Sequence, residues 1–392
     1  MGFAVVFCFL LLILPTVFHF QAGSLKLAEE LLPTPLYERH LALDGRMVPF
    51  AGWNMPVQYA EGILAEHRHC RSAAALFDIC HMGEFRISGA TAAAGLDRMM
   101  ARAVQNQSVG SCRYNFLLNE QGGILDDLIV YRLDENEFYL VVNAGCRESD
   151  LAWLQKHLPA TSIIVDESLE TAKLDLQGPA AAQVLMDMGA ARENLPTHFR
   201  WNRLRLLDID LLISRTGYTG ELGYELYFNA EMAVKLWDAL LQHDMVKPAG
   251  LGARDTLRLE MGYPLYGHEM DTGINPVELG YAAMLKLDNT REFIGRQALD
   301  AKPKKQLIAL QLESKRAARA EMPVLWQGEQ IGLVSSGGLA PSLGFAVAMA
   351  LVRADLDLPE GSKLEIVAGR VNLPAAVCKL PFYKHGSLKD NP

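Results

Sequence analysis

The segment Leu211-Leu-Ile-Ser-Arg-Thr-Gly-Tyr-Thr-Gly-Glu-Leu-Gly-Tyr-Glu-Leu-Tyr-Phe228 decides the fold class. Leu211–Arg215 and Gly223–Phe228 read as two apolar, aromatic strands joined by the turn-rich stretch Thr216–Leu222. Gly217 and Gly220 let the backbone turn sharply and approach a ligand. Glu225 lies inside the second strand, with Tyr224, Leu226 and Phe228 on the opposite face. A lone carboxylate in such a place wants donors. A flat heterocycle with adjacent N–H groups would supply two; a salt bridge to a neighbouring arginine is the alternative.

Outward from this hairpin, both periods occur. Gly62–Leu76, Ala230–His243 and Gly252–Gly262 have helical spacing, whereas Phe138–Asn143 reads as a strand. Their irregular alternation predicts an α+β unit rather than a doubly wound sheet. The texture changes at the polar connection through Asp288–Glu292 and Lys302–Lys305. Short strands follow, at Gln306–Leu312, Glu329–Ser335, Phe345–Leu351, Leu364–Ala368 and Ala375–Leu380, which predict a small all-β barrel or sandwich. A domain boundary is expected near residues 285–305.

Composition bounds the rest. The chain has 392 residues, 50% hydrophobic and 21% charged, enough for two to three packed domains. A net charge of −9 without a long basic run argues against a nucleic-acid partner. Cys8, Cys70, Cys80, Cys112, Cys146 and Cys378 are scattered with no C-x-x-C pair, which fits reduced thiols in the cytoplasm. Met1–Leu25 breaks the pattern: it lacks any Lys, Arg, Asp or Glu, and Phe3–Phe18 is almost wholly apolar. An uncleaved anchor, a weak export signal and residues upstream of the true start are the competing readings. Cysteine usage favours the last, so residues 1–25 are set outside the fold and membrane contact is expected only if they belong to the protein.

The chain lacks a strand-following G-x-G-x-x-G, a P-loop, G-x-S-x-G and H-E-x-x-H, so dinucleotide, nucleotide-hydrolysing and serine-hydrolase chemistry have no support. Asp126 and Asp127 stand where the Gly122-Gly123 turn enters an apolar strand. Neighbours on a strand point to opposite faces, so one carboxylate is expected to enter a cleft with a shifted proton affinity. The alternative is that both cap the strand and bond the glycine turn. Arg254 and Arg258 share a helical face and invite an anion; an Asp255–Arg258 pair on a solvated face is the bland reading. Glu66, His69 and Cys70 share a face too, but no second cluster completes a shell, so no metal is expected. His81 reads as a satisfied core histidine, and Lys315–Arg319 as a solvated loop.

Several segments occur in a telling order: Thr34-Pro-Leu-Tyr37, Met47-Val-Pro-Phe-Ala-Gly-Trp53, Met55-Pro-Val-Gln-Tyr59 and Leu76-Phe-Asp-Ile-Cys-His-Met-Gly-Glu84. Gly122–Val130, Arg215–Glu225, Gly252-Ala-Arg-Asp255, Tyr266-Gly-His268 and Pro276-Val-Glu278 follow. From about residue 33 to about residue 382 the chain resembles the aminomethyltransferase (T-protein) family of the glycine cleavage system.

That resemblance implies a three-domain clover-leaf around a tetrahydrofolate channel. Residues 33–285 would form two interleaved α+β domains, and residues 304–384 a C-terminal β-barrel. It implies transfer of an aminomethyl group from the lipoyl arm of the H-protein to tetrahydrofolate, giving ammonia, 5,10-methylenetetrahydrofolate and the dihydrolipoyl carrier. By motif, Asp127 is the catalytic candidate and Glu225 the acceptor of two pterin N–H groups. Tyr114, Asn143 and Tyr218 would line the folate, Met82 would form an apolar wall, and Arg254 would bind the ligand. No metal is needed.

The chain departs from the family pattern in four places. Cys80 replaces a usual Ser, Asn275 a frequent Thr, the Pro381–Gly386 tail lacks the tandem tyrosines of some animal homologues, and the N-terminal run has no counterpart. A folate-dependent demethylase would lose the Ala51-Gly-Trp53 and Pro56-Val-Gln-Tyr59 block, a sarcosine-type dehydrogenase would need a flavin domain, and a non-enzymatic folate-binding factor would carry Lys-Gly-Cys-Tyr-x-Gly-Gln. Arg215-Thr-Gly-Tyr-Thr-Gly-Glu221 stands at that last position and favours the enzyme.

Overall fold

The computed structural model describes residues 30–287 and 290–390; the apolar run within residues 1–25 lies outside them. The class is α+β, as expected. A six-stranded sheet orders its strands Trp201–Leu206, Ile209–Ser214, Gly223–Asn229, Thr171–Gln177, Ala74–Asp78 and Val246–Pro248. A five-stranded sheet orders Cys112–Leu118, Ile124–Asp134, Glu137–Val142, Gly83–Ser88 and Ile163–Asp166. The chain enters the larger sheet at Ala74, leaves for the smaller at Gly83 and returns at Thr171, so the two sheets are interleaved in sequence.

The six-stranded sheet explains how a site can be polar yet buried. Along Thr171-Ala-Lys-Leu-Asp-Leu-Gln177, every second residue is apolar, and Ala172, Leu174 and Leu176 join Tyr224, Leu226 and Phe228 in one hydrophobic core. Helices Ala181–Asp187 and Ala233–Leu241 cover that face, contributing Val184, Leu185, Leu236 and fully buried Trp237. Removing each such side chain from water contributes about 1.5–3 kcal/mol. Lys173, Asp175, Gln177, Glu225 and Tyr227 therefore fall on the other face, paired in register as Lys173 with Tyr227 and Asp175 with Glu225.

The helical stretch expected over Gly62–Leu76 is shorter than its periodicity suggested. The helix runs Ile63–Ser72, and Ala74–Asp78 is a wholly buried strand. A short apolar run such as Ala74-Ala-Leu-Phe is ambiguous by periodicity, and pairing on both edges decides it. Helix Leu251–Met261 ends at Gly262 in the left-handed region, φ +66°, where a side chain would also strike Leu380.

The C-terminal strands close into a barrel in the order Lys305–Leu312, Phe345–Arg353, Glu329–Ala340, Pro323–Trp326, Lys363–Ala368 and Val371–Cys378. Pro323–Trp326 has no counterpart among the strands read from sequence; four residues with proline at the edge give too short an alternation. Among the described residues, no helix is long and apolar enough to cross a membrane.

Candidate active site

The Gly122-Gly123 turn, with Gly122 at φ +82°, delivers the strand that carries both aspartates. Asn119 satisfies this turn: its Oδ1 accepts from the N–H groups of Gln121 at 3.0 Å and Gly123 at 2.9 Å. The idea that Asp126 and Asp127 bond the turn is thereby corrected. Asp126 is fully buried, and Asp127 is partly exposed, as strand alternation requires. Yet one side chain reaches both. Asn143 Nδ2 lies 2.8 Å from Asp126 Oδ1 and 2.9 Å from Asp127 Oδ1, while the Asn143 backbone N–H donates to Asp126 Oδ2 at 2.9 Å. Tyr114 donates its hydroxyl to Asp127 Oδ2 at 3.0 Å.

Crowding acids in a dry site raises their proton affinity. Burial, then the Asp126 charge, push Asp127 up to about 7. Burial and the same neighbour push Asp150, on the adjoining helix Arg147–His157, up to about 10. Asp127 is thus poised near neutrality, a usual condition for a working acid or base. Asp150 gave no signal in the sequence, because only the tertiary fold carries its helix to Asp126.

Glu225 is held differently. Its Oε2 accepts hydroxyls from Thr216 at 2.7 Å, Tyr227 at 2.9 Å and Tyr131 at 3.2 Å. Its Oε1 faces Lys173 Nζ at 3.7 Å. The sequence left a salt bridge to arginine open; the cation is instead a lysine. Burial pulls Glu225 upward, but the Lys173 charge and the Thr216 bond bring it below the ordinary glutamate value. Lys173 also lies 3.4 Å from Met82 Sδ, which places Met82 beside Glu225. His81, expected to be a satisfied core histidine, is buried with Nδ1 unpartnered among the described residues, edge-on to Phe50, and burial lowers it to about 4.

Arg254 and Arg258 do not share an anion. Arg254 pairs with buried Asp175 at 2.5 Å and lies over the Tyr218 ring at 5.2 Å. Arg258 does pair with Asp255 at 2.9 Å, but it is buried, not solvated, and turns to Glu269 at 3.3 Å. Tyr218 donates to Pro264 O and stacks on Tyr263 with ring centroids 5.7 Å apart.

The turn carrying Tyr218 wraps around Gln177. Gln177 Nε2 donates to Thr216 O at 3.0 Å, and its Oε1 accepts from Thr219 at 2.8 Å. A side chain at Gly217 or Gly223 would overlap Gln177, which is why glycine occupies both positions. Lys173, Asp175 and Gln177 were missed in the sequence; the detectable signal was a polar residue at every second place of an otherwise apolar strand.

The C-terminal tail packs against the glycine-rich turn and helix Ile63–Ser72. Ser387 donates backbone and hydroxyl bonds of 2.8 and 2.5 Å to Glu221, and Arg71 lies 4.2 Å over Tyr383 while pairing with Glu221 and Glu260. The two departures also fit. Cys80 Sγ contacts the Lys173 backbone, and Asn275 Oδ1 accepts from Val277 N–H at 2.9 Å. Glu66 accepts backbone N–H bonds from Tyr59 and Gly250, and among the described residues no group of three or more His, Cys, Asp or Glu is arranged to hold a metal.

Residues 36–289 match the family described as GCVT N-terminal domain, and residues 305–384 match the glycine cleavage T-protein C-terminal barrel domain. The aminomethyltransferase of Moorella thermoacetica is 42% identical over 364 residues, covering 91% of this chain and 98% of that protein. That of Deinococcus deserti is 42% identical over 357 residues, covering 90% and 96%. The crystal structure of glycine cleavage system aminomethyltransferase T from Bartonella henselae matches with a TM-score of 0.85 at 34% identity, over 91% of this chain and 99% of that one.

Proposed function

The chain belongs to the aminomethyltransferase (T-protein) family of the glycine cleavage system and is a transferase; from that premise we propose how its residues serve the reaction. The acceptor is tetrahydrofolate and the donor is the S-aminomethyl-dihydrolipoyl arm of the H-protein. The products are ammonia, 5,10-methylenetetrahydrofolate and dihydrolipoyl H-protein.

The observation that carries this reading is the division of labour within Glu225. One oxygen is saturated by three hydroxyls, while the other accepts no hydrogen bond among the described residues and faces an ammonium at 3.7 Å. Such a carboxylate suits a flat heterocycle bearing adjacent N–H donors. Met82 and Tyr218 supply apolar and aromatic surface beside it, and Arg254 a cation. Tetrahydrofolate, when bound, supplies the nitrogen nucleophiles that accept the one-carbon unit.

Asp127 acts on charge. As ammonia leaves the aminomethyl carbon, positive charge develops there, and an ionised carboxylate fixed in a water-poor site stabilises it. Asn143 and Tyr114 hold that carboxylate, so little reorganisation is needed at the moment of reaction. No step requires a metal. We assign the folate-binding catalytic unit to residues 33–285 and the barrel domain to residues 304–384. The five cysteines among the described residues are free thiols, which suits a cytoplasmic enzyme.

The test is ammonia release from aminomethylated H-protein with and without tetrahydrofolate. Dependence on both supports the assignment. Release of a one-carbon unit from a free methylated amine instead would favour the demethylase, and folate binding without turnover would favour a non-enzymatic role.

A further inference from the structure

The charges around Glu225 do not balance at random. Facing it are Lys173 and Asp175 from the neighbouring strand, Tyr227 from its own, Tyr131 and Cys112 from the five-stranded sheet, Glu84 from Gly83–Ser88 and Arg254 from helix Leu251–Met261. Asp175 is already paired with Arg254. Glu84 is fully buried, and neither of its oxygens has a hydrogen-bond partner among the described residues. Burial raises its proton affinity well above the ordinary glutamate value, which weakens its claim on the lysine. Lys173 is left to Glu225.

The ammonium is placed unusually. It is 1% exposed, lies 3.4 Å from the Met82 thioether and 5.1 Å over the Tyr227 ring, and stops 3.7 Å short of Glu225 Oε1. At that separation it supplies charge without donating a hydrogen bond. Glu225 Oε1 therefore keeps its acceptor capacity, while Oε2 is filled by the three hydroxyls.

We propose that Lys173 is a positioning residue for folate binding: a buried cation that keeps Glu225 ionised and, by standing back from Oε1, leaves that oxygen to the ligand's N–H donors. This rests on Glu225 being the pterin acceptor. Arginine could not substitute, because its planar fork would donate directly to Oε1 and occupy it. Lysine's compact charge on soft neighbours satisfies both demands.

The experiment is calorimetric binding of tetrahydrofolate, under anaerobic conditions, between pH 6 and pH 8.5. Lys173→Met keeps the length of the stem and removes the charge. Its Kd is expected to be about tenfold weaker at pH 8 and to weaken further towards pH 6, by at most about tenfold per pH unit, because Glu225 now takes up a proton in that window. Asp127 and Asp175 titrate in both proteins, so the quantity read is the difference from wild type. Lys173→Arg should also bind weakly, but with the wild-type pH profile, since the charge is restored while Oε1 is blocked.

Lys173→Gln serves as a second uncharged variant if Lys173→Met does not fold, as judged by its melting transition. A wild-type profile in either uncharged variant, alongside weakened binding in Glu225→Gln, overturns the role of Lys173 and leaves Glu225 as the acceptor. Unchanged binding in Glu225→Gln overturns both readings at once.

Discussion

The Tyr114 hydroxyl donates a 3.0 Å hydrogen bond to Asp127 Oδ2. That bond favours the ionised carboxylate, against the burial and the Asp126 charge that push Asp127 up to about 7. Tyr114→Phe removes the favourable contribution. The rate of single-turnover transfer, which should rise with pH through about 7 in the wild type as Asp127 ionises, is expected to rise at higher pH in the variant. An unshifted limb would mean that Asp127 does not set the profile.

Asp127→Asn preserves shape but removes the charge. Loss of one positioned electrostatic group costs about 10²–10⁴ in rate. Single-turnover transfer from aminomethylated carrier, at saturating tetrahydrofolate, should fall by that range with folate affinity little changed. A near-normal rate in folded protein would exclude Asp127 as the reacting group.

Asn143 ties Asp126 to Asp127 through one amide, with contacts of 2.8 and 2.9 Å. Asn143→Ala should therefore release Asp127 from its orientation. A transfer defect of about 10–100-fold is expected, the scale of a modest loss of alignment. Asp126→Asn, which perturbs the same linkage, should show a smaller defect of the same kind rather than a loss of turn stability. Stability loss alone, with normal transfer in both variants, would show that the linkage is dispensable.

Glu225→Ala leaves ligand N–H donors without a charged acceptor. Folate binding should weaken by about 2–4 kcal/mol, or roughly 30- to 1000-fold in Kd. Calorimetry on protein with a native melting transition measures it. Unchanged affinity would return Glu225 to a structural role with Lys173.

Asp150 offers a pH test of stability. Its proton affinity is raised to about 10 in the folded chain, against the ordinary aspartate value once unfolded. Between those values the folded state binds more protons, so its contribution to stability falls as pH rises. Asp150→Asn keeps a donor for Asp126 and removes this penalty. The melting temperature of the variant relative to wild type should therefore climb from pH 5 to pH 9. A constant difference across that range would show that Asp150 is not buried as a neutral acid.

Much of the site was legible because the local chemistry was unusual. A carboxylate inside Tyr224-Glu-Leu-Tyr227, paired aspartates after two glycines, and a Gly-rich turn each signal a local demand. The barrel strands were readable from alternation, except Pro323–Trp326, which is too short to alternate convincingly. Gly62–Leu76 was misread past Ser72, since an apolar run of a few residues fits either period.

Sequence alone determined the α+β class, a C-terminal run of short strands and Glu225 as a lone carboxylate needing donors, while the family resemblance chose the barrel and singled out Asp127 and Arg254. Periodicity and residue type are local properties, and they survive without the fold. The tertiary structure decided which partners those residues received: Asn143 for both aspartates, Asp175 for Arg254, and Lys173 for Glu225. Strand pairing joins residues about 50 positions apart, as it does Lys173 with Tyr227 across the sheet. A local pattern shows that a buried charge needs a counter-charge; only the folded topology brings a particular one within reach.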